Sequence, residues 1–140
     1  MKREVVTAIL EENQIRDELQ YLIDYFSKNG NEFCDVLFGY AWGNDYYPDN
    51  EWFYESVKLS GLKSKIFEIE QRNIGSLSND DLFITVAGFE FLFCHESDIH
   101  ISFETTSQAI EHFYERWLTM GFHPSEWIKN NSKGPGTKVR

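Results

Sequence analysis

The densest run of reactive side chains is Cys94-His95-Glu96-Ser97-Asp98-Ile99-His100. Thiolate and imidazole are ligands of zinc-class metals, and a hairpin inside the run would bring residues of its two strands together. Period-two alternation nevertheless puts Cys94 and His95 on opposite faces of their strand, and no second Cys-x-x-Cys or His-x-x-x-His supplies further ligands. A cysteine nucleophile needs a histidine base within hydrogen-bond reach and an orienting group behind it, and spacing selects none of the four histidines for Cys94. The residues therefore read as a surface hairpin with satisfied histidines. A small metal- or ligand-binding domain, or an enzyme using Cys94, His95 or His100, is the alternative.

Paired carboxylates occur at Glu68 and Glu70, expected on one face of a strand, and at Asp80-Asp81 in a loop. Acid/base work needs one such group shielded enough to keep its proton, and among 23 acids pairs arise by chance. Neither a Walker loop nor a Gly-x-Gly-x-x-Gly turn is present, nor a Gly-x-Ser-x-Gly elbow. No catalytic residue, cofactor or resident metal is assigned on these grounds.

The charge map is more informative. Net charge is −10, and from Asn29 to Val57 six acids stand without a Lys or Arg, as do eight from Asn73 to Glu115. One-signed blocks repel nucleic acid and anionic lipid and attract a basic partner. No apolar run approaches the roughly 18 residues of a membrane span, and the Met1-Lys2-Arg3-Glu4 start leads into polar sequence without a secretory core, so a cytoplasmic location is expected. Cys34 and Cys94 sit in apolar surroundings and read as small buried thiols.

The segment Tyr40 to Glu55 interleaves Tyr40, Trp42, Tyr46, Tyr47, Trp52, Phe53 and Tyr54 with Asp45, Asp49, Glu51 and Glu55. Tyr and Trp offer large contact area at little entropic cost, and neighbouring carboxylates steer toward Lys or Arg. Partner contacts are expected at Asp45, Tyr46, Tyr47, Asp49, Glu51, Trp52 and Glu55, with a second patch at Glu96, Asp98 and Glu104. The competing reading buries Trp42, Trp52 and Phe53 in the core, with the tyrosines over them.

These residues need a scaffold. At 140 residues, 41% hydrophobic and 26% charged, the chain suits one domain over 1–129, with a flexible basic tail over 130–140. Ile15, Leu19, Leu22, Ile23 and Phe26 share one face of a helix from Asn13 to Lys28, stopped by Asn29-Gly30. Glu4 to Glu12 reads as helix more than strand. Cys34 to Trp42 reads as a strand and 44–50 as a loop, from which Asp49 or Asn50 caps a helix over Glu51 to Leu59. Strands follow at Lys65–Gln71, Leu82–Val86, Phe89–His95 and Ile99–Glu104, with a turn at Gly88 and a hairpin turn at Glu96-Ser97-Asp98. Thr106 or Ser107 caps a last long helix burying Ala109, Ile110, Phe113, Trp117 and Met120, and Pro124 to Lys129 reads as short helix. The class is α+β: an antiparallel sheet of about four to five strands packed by N-terminal and C-terminal helices.

A small acidic α/β chain with aromatic-acidic loops, no catalytic motif and no export signal resembles the immunity proteins of bacterial toxin systems, including contact-dependent growth inhibition. The likeness is one of character over the whole chain, so no residue role is carried over. It implies a cytoplasmic protein that neutralises a cognate toxin domain, often a basic nuclease, by covering its active site. A nucleic-acid mimic acting on a host DNA-binding protein shares the same charge logic.

Overall fold

The computed structural model describes residues 2–39, 42–48, 51–129 and 138–139. In chain order the elements are β1 (Lys2–Val6), α1 (Glu12–Lys28), β2 (Phe33–Phe38), α2 (Gly43–Tyr46), β3 (Glu55–Lys58), α3 (Leu59–Gln71), β4 (Leu82–Val86), β5 (Phe89–Phe93), β6 (Ile99–Phe103), α4 (Gln108–Thr119), β7 (Ser125–Lys129) and β8 (Lys138–Val139). The strands form one sheet in the order β3-β2-β4-β5-β6-β1-β7-β8, and every neighbouring pair is antiparallel. The α+β class stands, with more strands than the sequence suggested.

Alternation assigns the two faces of the sheet. Cys34, Val36, Phe38, Leu82, Ile84, Val86, Phe91, Phe93, Ile99, Ile101, Phe103 and Val5 are buried on one side beneath the helices. Phe26 of α1 and Phe113 of α4 meet Phe91 of β5 with ring centroids 5.8 and 5.3 Å apart. On its other flank α1 joins α3, where Arg16 donates to both oxygens of Glu70 at 3.1 and 2.6 Å. None of these three long helices packs on the opposite sheet face, where Phe33, Asp35, Leu37, Phe83, Thr85, Glu90, Leu92, His100, Ser102 and Glu4 project by the same alternation.

Several expectations are corrected. Residues 2–6 form a strand, because Val5 and Val6 sit between two ladders, β6 and β7, that supply hydrogen bonds on both sides. Lys65–Gln71 belongs to helix α3, since Leu59, Leu62, Ile66 and Ile69 recur at helical spacing and are all buried. Ser60 and Gly61 lie in the first turn of that helix. Glu51–Tyr54 has no regular structure and Glu55–Lys58 is an edge strand, so the helix expected there is absent; its proposed caps Asp49 and Asn50 lie outside the described residues. The strand from Cys34 stops at Phe38, and Trp42 to Tyr46 turns through short helix α2. Ser125–Lys129 ladders onto β1 as strand β7.

The helix over 12–28 and the β4–β5–β6 hairpins match the reading, as does the Ser107 cap, whose Oγ accepts from the Ile110 amide at 3.4 Å. Met120 lies 47% exposed outside the expected stripe. Of the tail, Lys138–Val139 pairs with β7, and the rest is outside the described residues. No helix is long and apolar enough to cross a membrane, among the described residues.

Candidate functional site

Two places gather chemistry: an aromatic ridge at the β3 edge and a buried cluster at the β5–β6 turn. The ridge follows from the irregular 51–54 segment. Trp52, Phe53 and Tyr54 are 41%, 52% and 45% exposed, and Phe33 on β2 is 52% exposed. Register lines Asp35, Thr85 and Glu90 in one row across the face away from the helices, and Tyr54 Oη reaches over it to donate to Glu90 Oε2 at 3.0 Å. Burial and the nearby Glu90 carboxylate push the Tyr54 phenol up to about 12. Asp35 and Glu51 are exposed beside these rings, and Lys58 is the adjacent cation on this face.

The predicted contacts divide. Asp45, Glu51 and Trp52 are exposed. Tyr46 is half-buried, donating to Glu55 Oε1 at 2.6 Å while Lys65 donates to both residues, at 2.9 and 3.2 Å, so Glu55 is engaged within the fold. Tyr47 is corrected as a contact: it is buried, and its hydroxyl oxygen accepts the Phe38 amide at 2.8 Å. Trp42 is likewise buried, its indole N–H donating to the Asp81 carbonyl at 2.6 Å. Asp49 and Tyr40 lie outside the described residues.

The second expected patch does not gather in one place. Glu96 and Glu104 are exposed at opposite ends of the five-residue β6, which spans about 17 Å at 3.4 Å per residue, and Asp98 between them turns inward to His100. Phe33, Asp35, Phe53 and Tyr54 complete the ridge and were missing from the expected set. Their signal was the alternation of Phe33, Asp35 and Leu37 against Cys34, Val36 and Phe38, which assigns the first three to the face away from the helices.

The cluster at the turn is set by the hairpin. The Cys94 amide donates to the Asp98 carbonyl at 2.9 Å and the Ser97 amide to the Cys94 carbonyl at 3.0 Å, with Ser97 in a left-handed conformation (φ 65°). This turn places Cys94, Asp98 and His100 together, with their ligand atoms within 4.8 Å of one another. His100, 7% exposed, faces Glu4 Oε2 through Nδ1 at 3.1 Å and Asp98 Oδ1 through Nε2 at 3.2 Å. Burial opposes a charge on His100, but contacts with Asp98, Cys94 and Glu4 outweigh it and push the imidazole up to about 11. Burial likewise opposes ionisation of Asp98, and His100 overcomes it, holding the carboxyl below its ordinary range.

His95 is exposed on the other side of the turn. Its Nδ1 lies 2.8 Å from Asp81 Oδ1 and 3.8 Å from Cys94 Sγ, and the Asp81 hydrogen bond raises its pKa. A thiol–imidazole–carboxylate relay needs the two ring nitrogens to serve different partners, whereas here one nitrogen meets both. His100 has both nitrogens against carboxylates. Neither ring is placed as a base for Cys94, so the geometry does not assemble a cysteine nucleophile.

The paired acids also have structural posts. Asp80 Oδ2 accepts the Ser76 amide at 2.7 Å, Asp81 holds the His95 backbone and ring, and Glu68 and Glu70, on helix α3 rather than a strand, pair with Arg72 and Arg16. Cys34 is buried among apolar neighbours, and burial followed by the Asp35 charge pushes its thiol up to about 11. Comparison with known proteins gives no match to a family model, to a curated protein or to a solved structure.

Proposed function

We propose that this chain is an acidic binding protein that neutralises a cognate bacterial toxin, a nuclease domain, by seating its aromatic ridge in that domain's cationic cleft. The observation that carries the reading is the exposure of Phe33, Trp52, Phe53 and Tyr54, together with Asp35 and Glu51, around the β2–β3 edge of the sheet. Several exposed large rings along one sheet edge are uncommon on a monomer's surface and support an interaction site there. The rings supply desolvated anchors and the carboxylates replace the phosphates a nuclease would otherwise hold.

Net charge of −10 adds long-range attraction to a basic partner, with association approaching about 10⁸–10⁹ per molar per second at low salt. Such a protein acts in the compartment where the toxin meets nucleic acid, the cytoplasm. It needs no cofactor for this task.

The test is a co-purification from the native host followed by a binding titration of the retained protein against salt. A basic nuclease whose activity falls on binding, with affinity lost in Trp52→Ala and a shallower salt dependence in Asp35→Asn with Glu51→Gln, is the expected result. Recovery of a host DNA-binding protein instead would transfer the same surface to polyanion mimicry. Full affinity in the ring and carboxylate variants would remove the ridge from the interface.

A further inference from the structure

We propose that Cys94, Asp98 and His100 form a binding site for a zinc-class divalent metal, with Glu4 as the carboxylate that orients His100 and one coordination position open to solvent. This site is separate from the aromatic ridge and stands whether or not the chain binds a toxin.

A thiol, a carboxylate and an imidazole suit a borderline metal that accepts sulfur, nitrogen and oxygen in one tetrahedral shell. Zinc bonds to nitrogen and oxygen of about 2.0–2.1 Å, opened to the tetrahedral angle, put those donors about 3.3 Å apart. His100 Nε2 and Asp98 Oδ1 stand 3.2 Å apart. All three ligand atoms fall within 4.8 Å of one another, compact enough for one ion to reach them together.

That pair is also shielded from solvent. Asp98 Oδ1 and His100 Nε2 are buried and face each other 3.2 Å apart, so a cation that replaced the proton between them would find both donors already in place. A metal-ligating imidazole must be neutral, so binding here exchanges the His100 proton for the cation, with Asp98 and Glu4 left to balance its charge. By contrast His95 and Asp81 make a hydrogen bond at 2.8 Å on the exposed side of the turn. The neighbouring set of Asp81, Cys94 and His95 is therefore already satisfied without a cation.

Glu4 faces the other ring nitrogen of His100 at 3.1 Å, the arrangement in which a carboxylate fixes tautomer and ring orientation for a metal-bound histidine. Asp98 and His100 also line a cavity of about 450 Å³ shared with Val6, His123, Ser125 and Trp127, which leaves the ion a route in and a free position for water or another ligand. Sites with three protein ligands and an accessible fourth position are the ones that bind exogenous molecules.

The experiment uses the full chain, stripped with chelator and titrated with cobalt(II) as the spectroscopic probe, then competed with zinc. One equivalent should bind with a thiolate-to-cobalt charge-transfer band, displaced by zinc. C94S should abolish the band, D98N should weaken binding about tenfold or more, and E4Q should weaken it by about 10–100-fold. H95A, at an exposed position outside the set, should leave affinity within about twofold. Circular dichroism of each variant separates lost ligation from lost fold, and D98N preserves side-chain volume if C94S does not fold. The proposal is overturned by a spectrum without a sulfur band, by loss of binding in H95A, or by equal weak binding in parent and all variants, which would mark adventitious carboxylate binding.

Discussion

Glu18 on α1 holds Arg116 on α4 through Nε at 3.2 and 3.1 Å and Nη2 at 2.6 Å. The same carboxylate accepts the Trp117 indole N–H at 2.8 Å, and the guanidinium lies 3.5 Å from the centre of the Tyr21 ring. Glu18 is 3% exposed, so its charge is tolerated only because all these donors converge on it. The clasp fixes the angle at which two helices cover the sheet.

Removing one partner should therefore expose the desolvation cost of the other. Arg116→Met is expected to lower unfolding free energy by about 3–5 kcal/mol, measured by urea denaturation. Combining it with Glu18→Leu should recover much of that loss, because the orphaned charge goes too. Additive losses in the double variant would contradict this account.

Tyr47 gives a pH-dependent prediction. Burial, opposed by the Phe38 amide hydrogen bond and reinforced by Glu55 and Tyr46, pushes its phenol from an ordinary value of 10.0 up to about 12. A group whose folded pKa is raised contributes stability that is full below its unfolded pKa and is lost as pH rises through the folded value. Stability should thus decline from pH 10 toward 12, followed by denaturation and phenolate absorbance. Tyr47→Phe should flatten that decline and cost about 1–3 kcal/mol at neutral pH, because the Phe38 amide loses its acceptor.

Gly75 is a packing constraint. A Cβ there would meet Trp42 Cβ at 2.5 Å and Asp80 Oδ2 at 2.8 Å. Gly75→Ala should cost about 1–3 kcal/mol and alter Trp42 fluorescence. Parent-like stability and emission would show that the 75–80 turn can yield.

The exposed ring of Phe33 separates binding from folding. Phe33→Ala should change stability by no more than about 1 kcal/mol while weakening partner capture by about tenfold or more. A variant that loses both in proportion would place Phe33 among structural residues instead.

The sequence was most readable where one period dominates. Residues 12–28 present a single apolar stripe with polar residues elsewhere, and β4 to β6 alternate between clear turn residues, so both came through. The α3 segment misled because Ile66, Phe67 and Ile69 mixed with Glu68 and Glu70 mimic a strand in a short window, while the buried set that decides the matter begins seven residues earlier at Leu59. β1 and β7 were hidden because their strand character comes from each other: Val6 aligns with Ser125 and Lys2 with Lys129, a pairing no local window contains. The Cys94–His100 run was visible as chemistry. Its arrangement was not, because Glu4 arrives from a strand nearly a hundred positions earlier and the inward turn of Asp98 depends on backbone geometry at Ser97.

The placement of β1 between β6 and β7 has a kinetic consequence. Its partners lie between His100 and Phe103 on one side and between Ser125 and Lys129 on the other, so residues 2–6 cannot complete the first ladder until residue 103 has left the ribosome, nor the second until residue 129 has. Loop closure over such separations is slow, and the open flank of β6 stays available to other chains in the meantime. Newly made protein should therefore depend on chaperones, or on low concentration, more than its size alone would suggest.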